Sequence, residues 1–259
     1  MVKVSSKLIE NQITRNGKIL KLYKLLELDV ETQSYLQMAN IMAVNRLRYN
    51  DHGPVHSRIV SGTAIEIFDI MKNYVELGIV REGIGDISDS KLVAFCGAYL
   101  HDVGNSIHRK NHHINGCIIA DPILKRLLGK IYGTGIEKTF KIKQEILQSI
   151  FSHDDDAKCL SVESGISKIA DGCDMAGGRA RIPYKLGKAD IHSLSALSIK
   201  KVEVEPGIET PLLIKVHMDN HAGIFQIEEV LMKKIETSGL MNKVRVLPIE
   251  RGKEIKWSG

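Results

Sequence analysis

The chain has 259 residues, of which 43% are hydrophobic and 26% are charged, and its net charge is +5. This length is near the upper limit of one domain, and the composition excludes disordered and fibrous proteins while the small, dispersed basic excess gives little support for nucleic-acid binding. No apolar run approaches the roughly 18 residues of a membrane span or forms an N-terminal signal, so we predict a cytoplasmic protein without a membrane partner.

Most of the chain predicts helices that are separated by short breaks. Helical periodicity or good helix formers occupy residues 18–27, 30–47 and 55–77, and Pro54 suits the first turn of the third helix. A glycine-rich loop at residues 80–89 precedes an apolar helix that ends at Asp102, for which Ser88 or Ser90 is the expected cap. Residues 101–115 predict an irregular connection. Further helices are expected at about 116–128, 136–153 and 161–175.

The pattern changes after about His192. Residues 197–204, 212–218 and 244–249 are rich in Ile, Leu and Val, which is typical of strands, and residues 226–237 predict a helix. We therefore predict a mainly α fold, with an all-helical domain at residues 1–194 and a small α+β unit at residues 195–259. Open strand edges in such a unit favour self-association, so a homo-oligomer is expected.

Histidines and carboxylates cluster at helix ends. Seven of the ten histidines fall between His52 and His153. An acidic residue lies at the end of each of two apolar helices. These residues are Asp102, which directly follows His101, and Asp171. A carboxylate in such a place is costly to desolvate without a cation partner. Imidazole and carboxylate ligands without thiolates suit Mn²⁺, Fe²⁺, Zn²⁺, Co²⁺ or Ni²⁺, and the two oxygens of Asp102 could bridge two metals.

The order of His56, His101-Asp102 and Asp171 resembles the H…HD…D signature of the HD superfamily of metal-dependent phosphohydrolases. The flanking segments are also similar, and they are His56-Ser57-Arg58-Ile59-Val60, His101-Asp102-Val103-Gly104-Asn105 and Ala170-Asp171-Gly172-Cys173-Asp174. A later segment, Arg181-Ile182-Pro183-Tyr184-Lys185, resembles the HD-GYP branch, although the G-Y-P tripeptide is missing. Asn105 also stands where that branch has a lysine, so cleavage of cyclic di-GMP does not follow.

The resemblance implies a helical domain that binds one metal through His56, His101, Asp102 and Asp171. It further implies a second metal, bridged by Asp102 and held by His112 and His153, with His113 as the alternative to His112. Asp102, His112 and His153 would then be catalytic, and two divalent ions are expected, with Mg²⁺ added to the metals named above. Asp174 lies three residues after Asp171 on the same helix side, so we expect it to orient a ligand histidine.

The resemblance implies hydrolysis of a phosphate ester, and we expect the substrate to be a nucleotide or a similar phosphorylated small molecule. Basic side chains near the site are candidates for phosphate binding. They are Arg109, Lys110, Arg179, Arg181 and Lys185. The same residues could equally be solvent-facing charges. Two other functions stay open, an HD-fold di-iron oxygenase and a non-catalytic ligand sensor.

Overall fold

The computed structural model describes residues 1–14, 17–176 and 191–257, which form a mainly helical fold with a small sheet near the C-terminus. The helices are α1 (Leu8–Ile13), α2 (Gly17–Leu28), α3 (Val30–Asn40), α4 (Pro54–Met71), α5 (Gly78–Arg81), α6 (Ile87–Leu100), α7 (His112–Tyr132), α8 (Glu137–Ser152), α9 (Val162–Cys173), α10 (Ile191–Ser198), α11 (Gly223–Gln226) and α12 (Lys233–Thr237). The strands are β1 (Val2–Lys3), β2 (Ile199–Pro206), β3 (Leu212–Met218), β4 (Val244–Glu250) and β5 (Lys253–Glu254). Two π-helical segments, Ile41–Arg46 and Ile227–Met232, continue α3 and link α11 to α12.

Three predicted helix boundaries were wrong. Helix α4 ends at Met71, not at residue 77, because the chain turns there and the Tyr74 N–H donates to the Met71 carbonyl (2.8 Å). The cap of α6 is Asp86, which accepts a hydrogen bond from the Asp89 N–H (2.9 Å), while the Asp89 carboxylate accepts one from the Asp86 N–H (3.0 Å). Helix α7 begins at His112, four residues before the predicted start, because Asn111 adopts a left-handed conformation (φ 60°) and ends the preceding turn.

The strands form one sheet in the order β1-β2-β3-β4-β5. Neighbouring strands are antiparallel except β3 and β4, which are parallel and are therefore joined by a helical crossover through α11 and α12. The outer strand β1 comes from the N-terminus, where Val2 pairs with Val204. The sequence did not predict β1, since a two-residue strand has no periodicity.

The sheet shares a hydrophobic core with the helices. One buried cluster contains Phe68 of α4 and Ile169 of α9 together with Val202, Ile214 and Ile235 of the C-terminal part. A second cluster lies among the helices alone. The C-terminal strands and helices therefore pack on the helical part, and residue 194 lies inside α10. The division into two domains stays a prediction. Within the described ranges, no helix has the length and apolar character that crossing a bilayer requires.

Candidate metal site

Four helices place an imidazole or a carboxylate at one point of the helical part. His56 lies in the first turn of α4, and His101 and His153 directly follow α6 and α8. Asp171 lies in the last turn of α9. Asp102 follows His101, and at 2% exposure each of these two residues is buried. The ends of separate helices thus bring together residues that are far apart in sequence.

The first group of side chains consists of His56, His101, Asp102 and Asp171. The His56 Nε2 atom lies 3.1 Å from the His101 Nε2 atom and 3.1 Å from the Asp171 Oδ1 atom. The Asp102 Oδ2 atom is 3.5 Å from His56 Nε2 and 3.3 Å from His101 Nε2. Two nitrogens and two carboxylate oxygens therefore converge on one point, as the ligands of a metal ion do.

Hydrogen bonds on the far side of each imidazole ring orient this group. The His56 Nδ1–H donates to Asp174 Oδ2 (2.7 Å), and the His101 Nδ1–H donates to the Ala98 carbonyl (2.8 Å). With Nδ1 protonated, the neutral ring has its lone pair on Nε2, which faces the other ligands. Asp174 therefore lies where the sequence led us to expect an orienting carboxylate.

A second group consists of His112, His153 and the other oxygen of Asp102. The Nε2 atoms of the two histidines are 2.9 Å apart, and each is 3.7 Å from Asp102 Oδ1. The His153 Nδ1–H donates to the Ile150 carbonyl (2.5 Å), which again directs Nε2 inwards. Asp102 thus has Oδ2 in the first group and Oδ1 in the second. The Asn105 amide holds this orientation by donating to Asp102 Oδ1 (2.7 Å).

His113 does not join either group. Its ring packs on the ring of Phe151, with centroids 5.2 Å apart, and its Nδ1 atom lies 3.3 Å from Asp154 Oδ2. Of the two neighbouring histidines, the structure therefore brings His112 to Asp102 and His153.

The electrostatics of both groups suit cations. Burial lowers the pKa of His101, but the Asp102 and Asp171 carboxylates outweigh it and raise that pKa to about 10. The carboxylates of the first group therefore favour a positive charge at this point. Burial and the neighbouring Arg109 lower the pKa of His112 to about 4, and burial also lowers that of His153. These two imidazoles are neutral near pH 7, as metal ligands must be.

Residues 55–176, which include every side chain of the two groups, match the family model described as "HD domain". The chain belongs to the HD superfamily. HD domains are generally metal-dependent hydrolases, and the two His/Asp groups are compatible with divalent metal ions. The chain is also 42% identical over 241 residues to the uncharacterized protein MJ1020 of Methanocaldococcus jannaschii. The aligned region covers 93% of this chain and 87% of the relative. No solved structure matches the chain.

A lysine outside the HD match completes the wall of the site. The Lys234 Nζ atom, from α12, lies 2.9 Å from Asp171 Oδ2 and donates to the His153 carbonyl (3.1 Å). Lys168 of α9 donates to the Asp154 and Ala157 carbonyls (both 2.7 Å) and so fixes the loop after His153. Sequence reasoning missed Lys234, because a Lys-Lys pair on a polar helix is most often solvated.

The HD site opens into a cavity of about 680 Å³. Residues of both the HD match and the C-terminal helices line it, among them Asn50, His52, Asp102, Arg109, Asp154, Asp155, Gln226, Val230, Lys233 and Lys234. The Arg109 Nη1 atom is 3.0 Å from His112 Nε2 and 3.8 Å from Asp102 Oδ1.

Of the other predicted phosphate-binding residues, the structure describes Lys110 alone. Lys110 is exposed and does not line the cavity, because it precedes the left-handed Asn111 and lies on the outside of that turn. Arg179, Arg181 and Lys185 lie outside the described residues.

Proposed function

We propose that this HD protein hydrolyses a phosphate ester of a small molecule, such as a nucleotide, with two divalent metal ions. The observation that supports this most is the position of Asp102. Its two carboxylate oxygens face two separate pairs of imidazole nitrogens, His56 with His101 and His112 with His153. A carboxylate shared by two histidine pairs could bridge two metal ions.

Each residue of the proposed site has a separate role. His56, His101 and Asp171 would hold the first ion, and His112 and His153 the second, with Asp102 shared. Such ions supply activation of water and stabilisation of charge on phosphoryl oxygens. Arg109 lies beside the second group with its side chain 39% exposed, so its guanidinium can turn from His112 towards a phosphate in the cavity.

The cavity supports a small-molecule substrate. Its volume of about 680 Å³ lies within the roughly 300–1,000 Å³ of typical ligand pockets. The wall carries more carboxylates than cations, and Lys233 is paired with Glu229, so an anionic group would depend on the metal ions and on Arg109 for its binding. Phosphate contacts from Arg179, Arg181 and Lys185 remain part of this proposal, on the strength of sequence alone.

The test is a metal analysis followed by a screen for hydrolysis. The purified protein is loaded with Mn²⁺, Co²⁺, Ni²⁺ or Mg²⁺ and assayed under anaerobic conditions on phosphomonoesters, phosphodiesters and nucleotides. We expect phosphate release or diester cleavage that Asp102→Asn abolishes. The matched control is Asp69→Asn, whose carboxylate pairs with Lys91 (2.6 Å) and does not line the cavity, and it should keep full activity. Turnover that requires both iron and O₂, with no phosphate ester hydrolysed, would replace the proposal with the oxygenase function.

A further inference from the structure

Asp171 is held by different partners at its two oxygens. Its Oδ1 atom lies 3.1 Å from His56 Nε2, within the first group, whereas its Oδ2 atom lies 2.9 Å from Lys234 Nζ. Lys234 belongs to α12, more than sixty residues later in the sequence. A side chain of the C-terminal helices thus fixes the orientation of a ligand in the HD match.

The Lys234 ammonium contacts three acceptors within the protein. An ammonium group has three N–H donors. Its acceptors are Asp171 Oδ2 (2.9 Å), Asp155 Oδ1 (3.1 Å) and the His153 carbonyl (3.1 Å). The ammonium thus has three acceptors of the protein around it, two as ion pairs and one as a hydrogen bond. Lys234 lines the cavity but is only 9% exposed, so little of its surface faces the cavity.

The same ammonium contacts both halves of the site. Asp171 belongs to the first group and His153 to the second. Burying a lysine charge is costly unless it is paired and hydrogen-bonded, as it is here. These contacts place the Lys234 ammonium between the two groups.

We propose that Lys234 is a positioning residue of the metal site. It holds Asp171 so that Oδ1 alone faces the first metal ion, and it fixes the chain at His153 behind the second. The C-terminal helices would then be needed for metal binding, not only for stability. This inference rests on the metal site and is independent of the reaction that the site catalyses.

The test compares three variants loaded with Co²⁺, whose visible absorption spectrum reports ligand number and geometry. Lys234→Met keeps the apolar stem but removes the charge, and Lys234→Arg keeps the charge. The control is Lys143→Met, since Lys143 is equally buried (9% exposed) and pairs with Asp121 away from the cavity. Loss of groups that orient metal ligands typically weakens metal binding about 10–100-fold. We expect a loss of that size and an altered spectrum for Lys234→Met, most of the affinity for Lys234→Arg, and neither change for Lys143→Met.

Several outcomes would overturn the proposal. Metal affinity and spectrum like those of Lys143→Met would make Lys234 merely structural. A raised KM with an unchanged spectrum would make it a substrate contact, and tighter metal binding would make it a repulsive charge. If Lys234→Met fails to fold, Asp155→Asn provides a second test, because Asp155 is 47% exposed and the substitution removes one contact of Lys234. This variant should bind Co²⁺ more weakly, and wild-type affinity for Co²⁺ in this variant would count against the proposal. A changed spectrum without any phosphatase activity would refute the proposed function alone.

Discussion

The substitution Gly104→Ala tests how the chain holds His112 against Asp102. Gly104 lies in the 3₁₀ turn Val103–Ser106 and packs directly on α7. A Cβ atom at Gly104 would lie 1.9 Å from the His112 carbonyl oxygen and 2.3 Å from the Gly116 nitrogen. Real Cβ contacts essentially never fall below 3.0 Å, so the two backbones would have to separate by about 1.1 Å.

That displacement has two measurable effects. Overpacking of this kind costs about 1–3 kcal/mol, which should lower the Tm by about 2–12 °C. Since a metal site tolerates ligand shifts of only about 0.5 Å, moving the start of α7 should remove the second metal. The first metal should remain, because only Asp102 of its four ligands adjoins the substituted turn, whereas His56, His101 and Asp171 lie on or directly after α4, α6 and α9.

Elemental analysis after dialysis, together with thermal unfolding, measures both effects. We expect two metal equivalents in the wild type and one in Gly104→Ala. The control Gly17→Ala places its Cβ in open space in a helix, so it should keep both metals and an equal or slightly higher Tm. Two equivalents and a wild-type Tm for Gly104→Ala would refute the reasoning.

Two further substitutions separate the roles of charged groups. Asp174→Ala removes the acceptor of the His56 Nδ1–H and should weaken the first metal's binding about 10–100-fold in a chelator competition; unchanged affinity would show that His56 needs no such support. Arg109→Met removes the guanidinium beside His112 Nε2, so the second metal should bind at least as tightly while the KM for a phosphate ester rises about tenfold in steady-state kinetics. A parallel loss of metal binding in Arg109→Met would contradict a role in substrate binding.

Periodicity predicted the helical part, and the resemblance to the HD superfamily implied that His56, His101, Asp102 and Asp171 lie together. An apolar helix packs in the interior of a protein, so the acid that directly follows it, Asp102, is also expected to lie in the interior. The same local signals could not locate the start of α7, since Asn111 in a left-handed conformation leaves no periodic pattern. They also favoured a serine cap for α6, where reciprocal bonds between Asp86 and Asp89 form the cap instead.

Local sequence patterns could not predict contacts between residues that are far apart in the chain. Lys234 pairs with Asp171 only because the shared core places α12 against α9. The strand β1 forms only because β2 offers it an edge. In both cases the partner, rather than the local sequence, determines the structure.

The long-range contact of Lys234 has a consequence for how the chain emerges from the ribosome. At about 5–20 residues per second, roughly 3–13 s separate the synthesis of Asp171 from that of Lys234. Throughout that interval the nascent chain has its histidines and acids, but the ammonium that contacts Asp171 Oδ2 has not yet been made. A metal ion that bound during translation would meet Asp171 before Lys234 is there to contact its Oδ2 atom, so the orientation of this ligand would be fixed only when α12 packs against α9.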